Sequence, residues 1–351
     1  MIERRLVISS QLQLDIQQCL DMAVEYQVVS YQDSGLSHIV MIKPIEAGSG
    51  NMIVLRGVKG QGSGHNQGDV PVRQVQYALS AFNNTLAHAH CYGSLKYQIF
   101  EDIACSAWIV EEYINGSTLG AMFDVNAIDD TDGQIRNQLA DYCVAGWPGC
   151  QRSIAQANCC INEMIVDFDG AVNTIDMYRK DTRLQKEIAA YEPVLIKEAN
   201  RLKQMNPSLV CVQHGDFHPW NIIFNDSKLR VIDRSRSIIN HAVQDFACLA
   251  INAISKSYTT SSPQLSHWCD SLIDLLNLRL DQCPHKPELL QAFPYFALAR
   301  IPGLVSPVFY PEISLHTRKA HYSAAVNILE GVGEFRSLRD FAHAFLQRME
   351  S

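Results

Sequence analysis

The stretch Val212–Arg236, VQHGDFHPWNIIFNDSKLRVIDRSR, constrains this 351-residue chain more than any other. It sets three polar residues, Asp216, Asn221 and Asp233, in a frame of apolar, strand-forming residues. Asn221 runs straight into Ile222, Ile223 and Phe224; Asn225, Asp226 and Ser227 have turn composition; Leu229, Val231 and Ile232 then lead to Asp233. That order predicts a strand, a hairpin turn and a second strand ending in a carboxylate. Each polar residue also has an ordinary use, as a turn, a cap or a strand-end charge. Their occurrence in one frame is what asks for more.

In such a hairpin Asn221 and Asp233 are expected to face one spot from opposite strand ends, with Asp216 on the loop ahead of them. Mg²⁺ takes oxygen ligands and keeps several waters, so an amide oxygen and a carboxylate suffice when nucleotide phosphates complete the shell. Asp216 is placed to accept a proton from a hydroxyl nucleophile. An unperturbed aspartate, with a pKa of about 3.9, is a weak base in the ground state, so its orientation matters more than its basicity. The layout is that of phosphoryl transfer, which asks the protein mainly for positioning and charge neutralisation.

The same residues resemble the catalytic core of the aminoglycoside phosphotransferase and choline kinase family, small-molecule kinases similar in fold to protein kinases. His214-Gly215-Asp216-Phe217-His218-Pro219 with Asn221 matches that family's H-G-D-x-H-P-x-N loop, and Ile232-Asp233 matches its metal-binding I-D. The resemblance implies an α+β, protein-kinase-like two-lobe fold: a small antiparallel-sheet N-lobe over residues 1–112 and a larger, mainly helical C-lobe over 113–351. It implies Asp216 as catalytic base, Asn221 and Asp233 as Mg²⁺ ligands, and ATP as phosphoryl donor. Two positions depart from the pattern, Trp220 where the family often has Gly and Arg234 where an aromatic residue is usual. The match is specific over Val212–Ala247 and loose elsewhere.

Composition narrows the class. A formal charge of −8 argues against non-specific nucleic-acid binding and is compatible with a cationic small substrate. No apolar run is long enough to span a bilayer, and the first residues, MIERRLVISSQ, lack the pattern of a secretory signal. A cytoplasmic protein is expected. The eleven cysteines are odd in number, scattered through apolar segments and free of any C-x-x-C pair, which points to reduced, mostly buried thiols.

In the N-terminal part, a helix is expected from Ser10 to about Ala23, then strands over Tyr26–Tyr31, His38–Pro44 and Met52–Val58. The turn joining the first two holds Ser34, Gly35 and Ser37, small residues that let backbone N–H groups approach phosphates, although an ordinary hairpin turn reads the same. Neither glycine-rich stretch that follows carries a P-loop or a Rossmann fingerprint. By the resemblance Arg56, with Lys43 and Lys59 as rivals, holds the α- and β-phosphates, and Gln74, on a helix expected over Val72–Leu86, stands where the family usually has a Glu. Ser106–Ile114 reads as the strand leaving the small lobe. Its end, Glu111, Glu112, Tyr113 and Ile114, is expected to offer backbone groups to adenine, with Val54 above and Ile223 and Ile232 below as apolar walls or plain core.

Beyond Asn115 the pattern is mainly helical, with caps expected near Thr131 and Asp181 and interruptions at Trp147-Pro148-Gly149, Pro284, Pro302-Gly303 and Pro311. Asp129-Asp130-Thr131-Asp132 reads as a solvated acidic loop. Asp245 reads as a helix cap or a brace for the catalytic loop. Tyr295, Phe309, Tyr310 and His316 are possible acceptor contacts, with core packing the alternative for each aromatic. The expected activity is ATP-dependent transfer of the γ-phosphoryl group to a hydroxyl of a small molecule, in the resemblance an aminoglycoside or amino alcohol. The alternative is a nucleotide-binding regulatory pseudokinase without turnover. A protein kinase is disfavoured because Arg234-Ser235 follows Asp233 in place of the D-F-G continuation. No nucleic acid or membrane partner is expected.

Overall fold

The structure, a computed structural model, describes residues 26–33, 37–44, 52–58, 97–101 and 107–126, and from 128 onward all but 131, 170–181, 226–227, 233–237, 308–309, 332–334 and 351. The helices expected over 10–23 and 72–86, with Gln74, lie outside the described residues, as do Ser34, Gly35, Asp233, Arg234 and Phe309. The chain divides into two compact units at Asn115/Gly116.

The first unit holds a five-stranded antiparallel sheet of β1 (Tyr26–Asp33), β2 (Ser37–Pro44), β3 (Ile53–Val58), β4 (Tyr97–Glu101) and β5 (Ala107–Glu112), in the order β1-β2-β3-β5-β4. Alternation explains β2. Val40 and Ile42 are fully buried while Lys43 is exposed, as a sheet with one packed face requires.

The second unit is mainly helical. It opens with β6 (Ser117–Thr118), α1 (Leu119–Asp124) and α2 (Gln134–Val144), then a 3₁₀ turn at Trp147–Gly149, β7 (Gln151–Arg152), α3 (Ile154–Asp169) and α4 (Gln185–Gln204). Next come β8 (Leu209–Gln213), a 3₁₀ turn at Pro219–Asn221, β9 (Ile222–Asn225), β10 (Lys228–Val231) and β11 (Ile238–His241). Helices α5 (Gln244–Thr259), α6 (Pro263–Asp281), α7 (Lys286–Leu298), α8 (Ile301–Leu304), α9 (Leu315–Glu330) and α10 (Leu338–Glu350) complete it. No helix among the described residues is long and apolar enough to cross a membrane.

Two small sheets carry the loop of interest. β8 lies between β11 and β7, and β9 lies between β10 and β6, so the segment from Gln213 to Asn221 bridges the central strands of both sheets. The hairpin predicted for β9 and β10 is present, antiparallel, with Ile222 opposite Val231. Helix α5 is buried along nearly its whole length and forms the centre of the core. The described cysteines are all free, and Cys143, Cys160, Cys211, Cys248 and Cys269 are buried.

One expectation needs correction, and for Tyr295 the core alternative holds. Asp130 is not solvated: its carboxylate accepts from the Ile135 and Arg136 backbone N–H groups, pairs with Arg136 Nε at 2.8 Å and accepts from Trp268 Nε1 at 2.9 Å. It thus caps α2, which Gly133 at the N-cap position leaves without a side-chain cap. Tyr295 is core: it is fully buried and its hydroxyl donates to the Ile161 carbonyl at 2.9 Å.

Gly120 shows how the unusual Trp220 is accommodated. A Cβ at Gly120 would lie 2.5 Å from the Trp220 ring, so the helix leaves room for the indole only because the residue is glycine. Alanine ordinarily favours a helix by about 1 kcal/mol over glycine, yet overpacking against a rigid ring costs about 1–3 kcal/mol. Gly120→Ala is therefore expected to destabilise the protein by up to about 2 kcal/mol, and Trp220→Ala in that background to restore much of the loss. Urea unfolding of the two single variants and the double variant checks this; additive losses would contradict it.

Candidate active site

The site is built from the Gln213–Asn221 loop inward. Phe217 is fully buried and stacks on Tyr142 with ring centroids 4.4 Å apart, so the middle of the loop is anchored in the core. His214 is fully buried as well. Its Nδ1 accepts from the Asp216 backbone N–H at 3.3 Å, which leaves the proton on Nε2, and Nε2 donates to the Ile232 carbonyl at 2.8 Å. The neutral imidazole therefore ties the loop to the end of β10, one residue ahead of Asp233. Gly215 has φ of 84°, a left-handed conformation suited to glycine, and this turn directs consecutive N–H groups to one acceptor.

That acceptor is Asp245, in the first turn of α5. Its carboxylate receives the His214 N–H at 2.6 Å and the Gly215 N–H at 3.0 Å. Gln213 Oε1 in turn accepts from the Asp245 N–H at 2.9 Å, and Gln244 Nε2 donates to the Gly215 carbonyl at 3.2 Å. Asp245 is the brace that one of the two sequence readings described.

Asp216 and Asn221 emerge from this frame. Asn221 is buried, and its Nδ2 donates to the Asp216 carbonyl at 3.0 Å, which leaves the amide oxygen on the other side of the group. That oxygen is the atom a hard cation takes, so the residue fits the metal-ligand role the motif implies. Asp216 is half-buried. Its Oδ1 accepts from Arg300 Nη2 at 2.5 Å, and its Oδ2 lies 3.7 Å from His218 Nε2. Arg300 was missed in the sequence, where its signal was a lone charge between Phe293 and Tyr310. It follows α7, whose end is held where the Tyr191 hydroxyl donates to the Leu298 carbonyl at 2.5 Å.

The remaining expected site residues fall as follows. Ile223, on β9, is buried and Ile232, just past β10, is half-buried. In the first unit Ser37 begins β2, Arg56 lies on β3 between Ile39 of β2 and Ile109 of β5, and Glu112 ends β5 opposite Ile53; the side chains of these three lie outside the description. The Tyr113 N–H donates to the Met52 carbonyl at 2.8 Å and so closes the sheet; Ile114 follows it, half-buried. Among the acceptor candidates, Tyr310 lies beside Trp220 and Arg300; burial pushes its hydroxyl well above the usual phenol range, a shift those two neighbours only partly offset, so it stays protonated. His316 is exposed on α9.

Burial pushes the Asp245 carboxyl up from 3.8 to about 7; the two backbone donors and the charge of Arg300 offset only part of the effect, and the charge of Asp216 adds to it. An acid whose folded value is raised lends stability that is fully present below its unfolded value, near 3.8, and is lost as pH rises through about 7. Asp245→Asn should flatten the fall in stability between pH 4 and 7, because the titrating group is gone. It should also cost about 2–3 kcal/mol at pH 5, because an amide presents only one acceptor to two buried N–H donors. Urea midpoints across that pH range test both; an unchanged slope would contradict the assignment.

Comparison with known proteins agrees with this geometry. Residues 166–292 match the family model described as the phosphotransferase enzyme family. No curated protein sequence matches the chain. Among solved structures, the amicoumacin kinase hAmiN, in complex with AMP-PNP, Ca²⁺ and Ami, is similar with a TM-score of 0.52 and 11% identity over 92% of this chain and 94% of that one. A thermostable mutant of aminoglycoside phosphotransferase APH(4)-Ia, in ternary complex with AMP-PNP and hygromycin B, gives 0.54 and 13% over 92% of this chain and 100% of that one. A second mutant of that protein, with ADP and hygromycin B, gives 0.52 and 14% over 93% and 100%. At such identities the structures report the fold, which is the protein-kinase-like fold of those phosphotransferases. Over residues 166–292, the segment that holds the Gln213–Asn221 loop, the chain thus matches the phosphotransferase enzyme family, and its fold is the one those solved structures share.

Proposed function

We propose that this protein is an ATP-dependent phosphotransferase that moves the γ-phosphoryl group to a hydroxyl of a small molecule. The observation that carries the reading is the Asp216–Asn221 pair: a half-buried carboxylate on a loop braced by Asp245, joined through its own carbonyl to an amide whose oxygen suits a hard cation. In this reading Asn221 and Asp233 hold Mg²⁺, which when bound neutralises charge on the nucleotide phosphates. Ser34, Gly35, Ser37 and Arg56 are assigned to those phosphates. Backbone groups of Glu112, Tyr113 and Ile114, with Ile223 and Ile232 as apolar surface, are assigned to the base. The donation already made by the Tyr113 N–H shifts that role toward its neighbours.

Asp216 acts on the acceptor. Its carboxylate takes a hydrogen bond from the substrate hydroxyl and orients the oxygen toward the γ-phosphorus. The oxygen–phosphorus bond forms as the bond to the β,γ-bridging oxygen breaks, ADP departs, and the hydroxyl proton passes to Asp216. His214 does not touch the reacting atoms; it holds the Asp216 N–H and the Ile232 carbonyl, and so sets the spacing between the loop and the strand end that precedes Asp233.

One observation favours a second reading, a nucleotide-binding regulator without turnover: the candidate base is already engaged by Arg300. ADP release from Mg²⁺-ATP over a panel of hydroxyl compounds separates the two. The phosphotransferase reading expects acceptor-dependent release that falls about 10³-fold in Asp216→Asn while nucleotide affinity holds within a few-fold. Asn221→Ala and Asp233→Ala should each raise the Mg²⁺ concentration needed for half-maximal rate. Nucleotide binding without turnover of any acceptor would favour the regulator, and failure to bind nucleotide would remove both.

A further inference from the structure

Arg300 lies outside the family-matched segment, which ends at residue 292, and is the only charged residue between Phe293 and Tyr310. Packing of an apolar helix end does not call for a cation. The side chain instead reaches a residue 84 positions earlier in the chain and donates Nη2 to Asp216 Oδ1, with about a fifth of each side chain exposed. Around the pair stand Cys248, a buried thiol hydrogen-bonded to Arg300, and Tyr310, hydrogen-bonded to Trp220, whose indole is partly exposed. The second carboxylate that senses Arg300, Asp245, is occupied by two backbone N–H groups. Among the described residues, charge and shape on this side of Asp216 are thus set by a guanidinium, a thiol and two aromatic rings.

This placement bears on the acceptor. A hydroxyl that donates to Asp216 must share the carboxylate with Arg300 or displace it. An ammonium on the acceptor would then compete with the guanidinium for Asp216, whereas a carboxylate could take the planar guanidinium in exchange for Asp216, with two parallel hydrogen bonds. We propose that Arg300 is the acceptor-recognition residue and that the hydroxyl-bearing substrate is an acid, whose carboxylate takes the guanidinium as its hydroxyl takes Asp216. The inference rests on the phosphotransferase reading above and deepens it. It replaces the cationic aminoglycoside of the family resemblance with a hydroxy acid. It also gives the engagement of Asp216 a purpose: the base is held by Arg300 until an acid arrives to exchange partners.

Two matched series test this on the full-length protein: glycerate, glycerol and 3-aminopropane-1,2-diol, and glucuronate, glucose and glucosamine. Binding is read by calorimetry with and without Mg²⁺-ATP, and transfer by ADP release. In at least one series the acid should bind roughly 30-fold more tightly than its neutral and cationic partners, as a charge-assisted pair implies. Arg300→Met should abolish that preference and raise KM for the acid more than it lowers kcat. Arg300→Lys keeps the charge without the fork and should retain an intermediate preference, which guards against loss through misfolding. The proposal is overturned if neither acid binds better than its partners, or if Arg300→Met lowers kcat equally for all compounds, since that would place Arg300 on the transferring phosphoryl group. In either event, retained Mg²⁺-ATP binding leaves the phosphotransferase reading standing; loss of nucleotide binding by the wild type would sink both.

Discussion

The carboxylate of Asp245 is the interaction on which the site depends. Two consecutive backbone N–H groups, of His214 and Gly215, converge on it, and the positive φ of Gly215 makes that convergence possible. Asp245 stands in the first turn of α5, where a negative charge also meets the favourable end of the helix dipole. Because α5 is the most deeply buried helix of the second unit, the loop inherits its position from the core rather than from the short strands on either side. Burial of the carboxyl is costly, and the raised pKa measures that cost. The structure accepts it in exchange for a loop that presents Asp216 and Asn221 at a fixed spacing.

In the proposed reading, chemistry and recognition fall to different parts of the second unit. The segment 166–292 supplies the loop, the hairpin and the brace, the parts a phosphotransferase needs whatever its acceptor. Arg300 and Tyr310 come later in the chain, and in our proposal they decide which charges and shapes are welcome beside Asp216. In our reading this division lets the same kind of loop serve acceptors of different charge.

The sequence disclosed what is local. Alternation placed β1, β2 and β3 to within a few residues, and the apolar frame from Asn221 to Asp233 foretold the β9–β10 hairpin, because each signal lies within a single short window. Contacts that join distant segments were not legible. Asp130 read as solvent-exposed because its partner Trp268 is 138 residues away, and a run of acidic residues has the same composition whether or not one member is buried. The strands that flank β8 escaped for a similar reason: β7 has two residues and carries no periodicity. Arg300 was passed over as a lone charge in an apolar run, and nothing in that run names Asp216 as its partner. Tyr295 and Tyr310 look alike in sequence, yet one is sealed in the core and the other stands beside Trp220. Only packing separates them.

The central claim is that this chain moves a phosphoryl group under the direction of Asp216. Its most direct test is phosphorus NMR of the protein with Mg²⁺-ATP and a mixture of hydroxy acids, neutral polyols and amino alcohols. The account predicts a new phosphate monoester resonance that grows with the β-phosphate signal of ADP, is absent with Asp216→Asn, and belongs to an acid. ATP that persists unchanged, or an equal monoester signal from the Asp216→Asn protein, would contradict it.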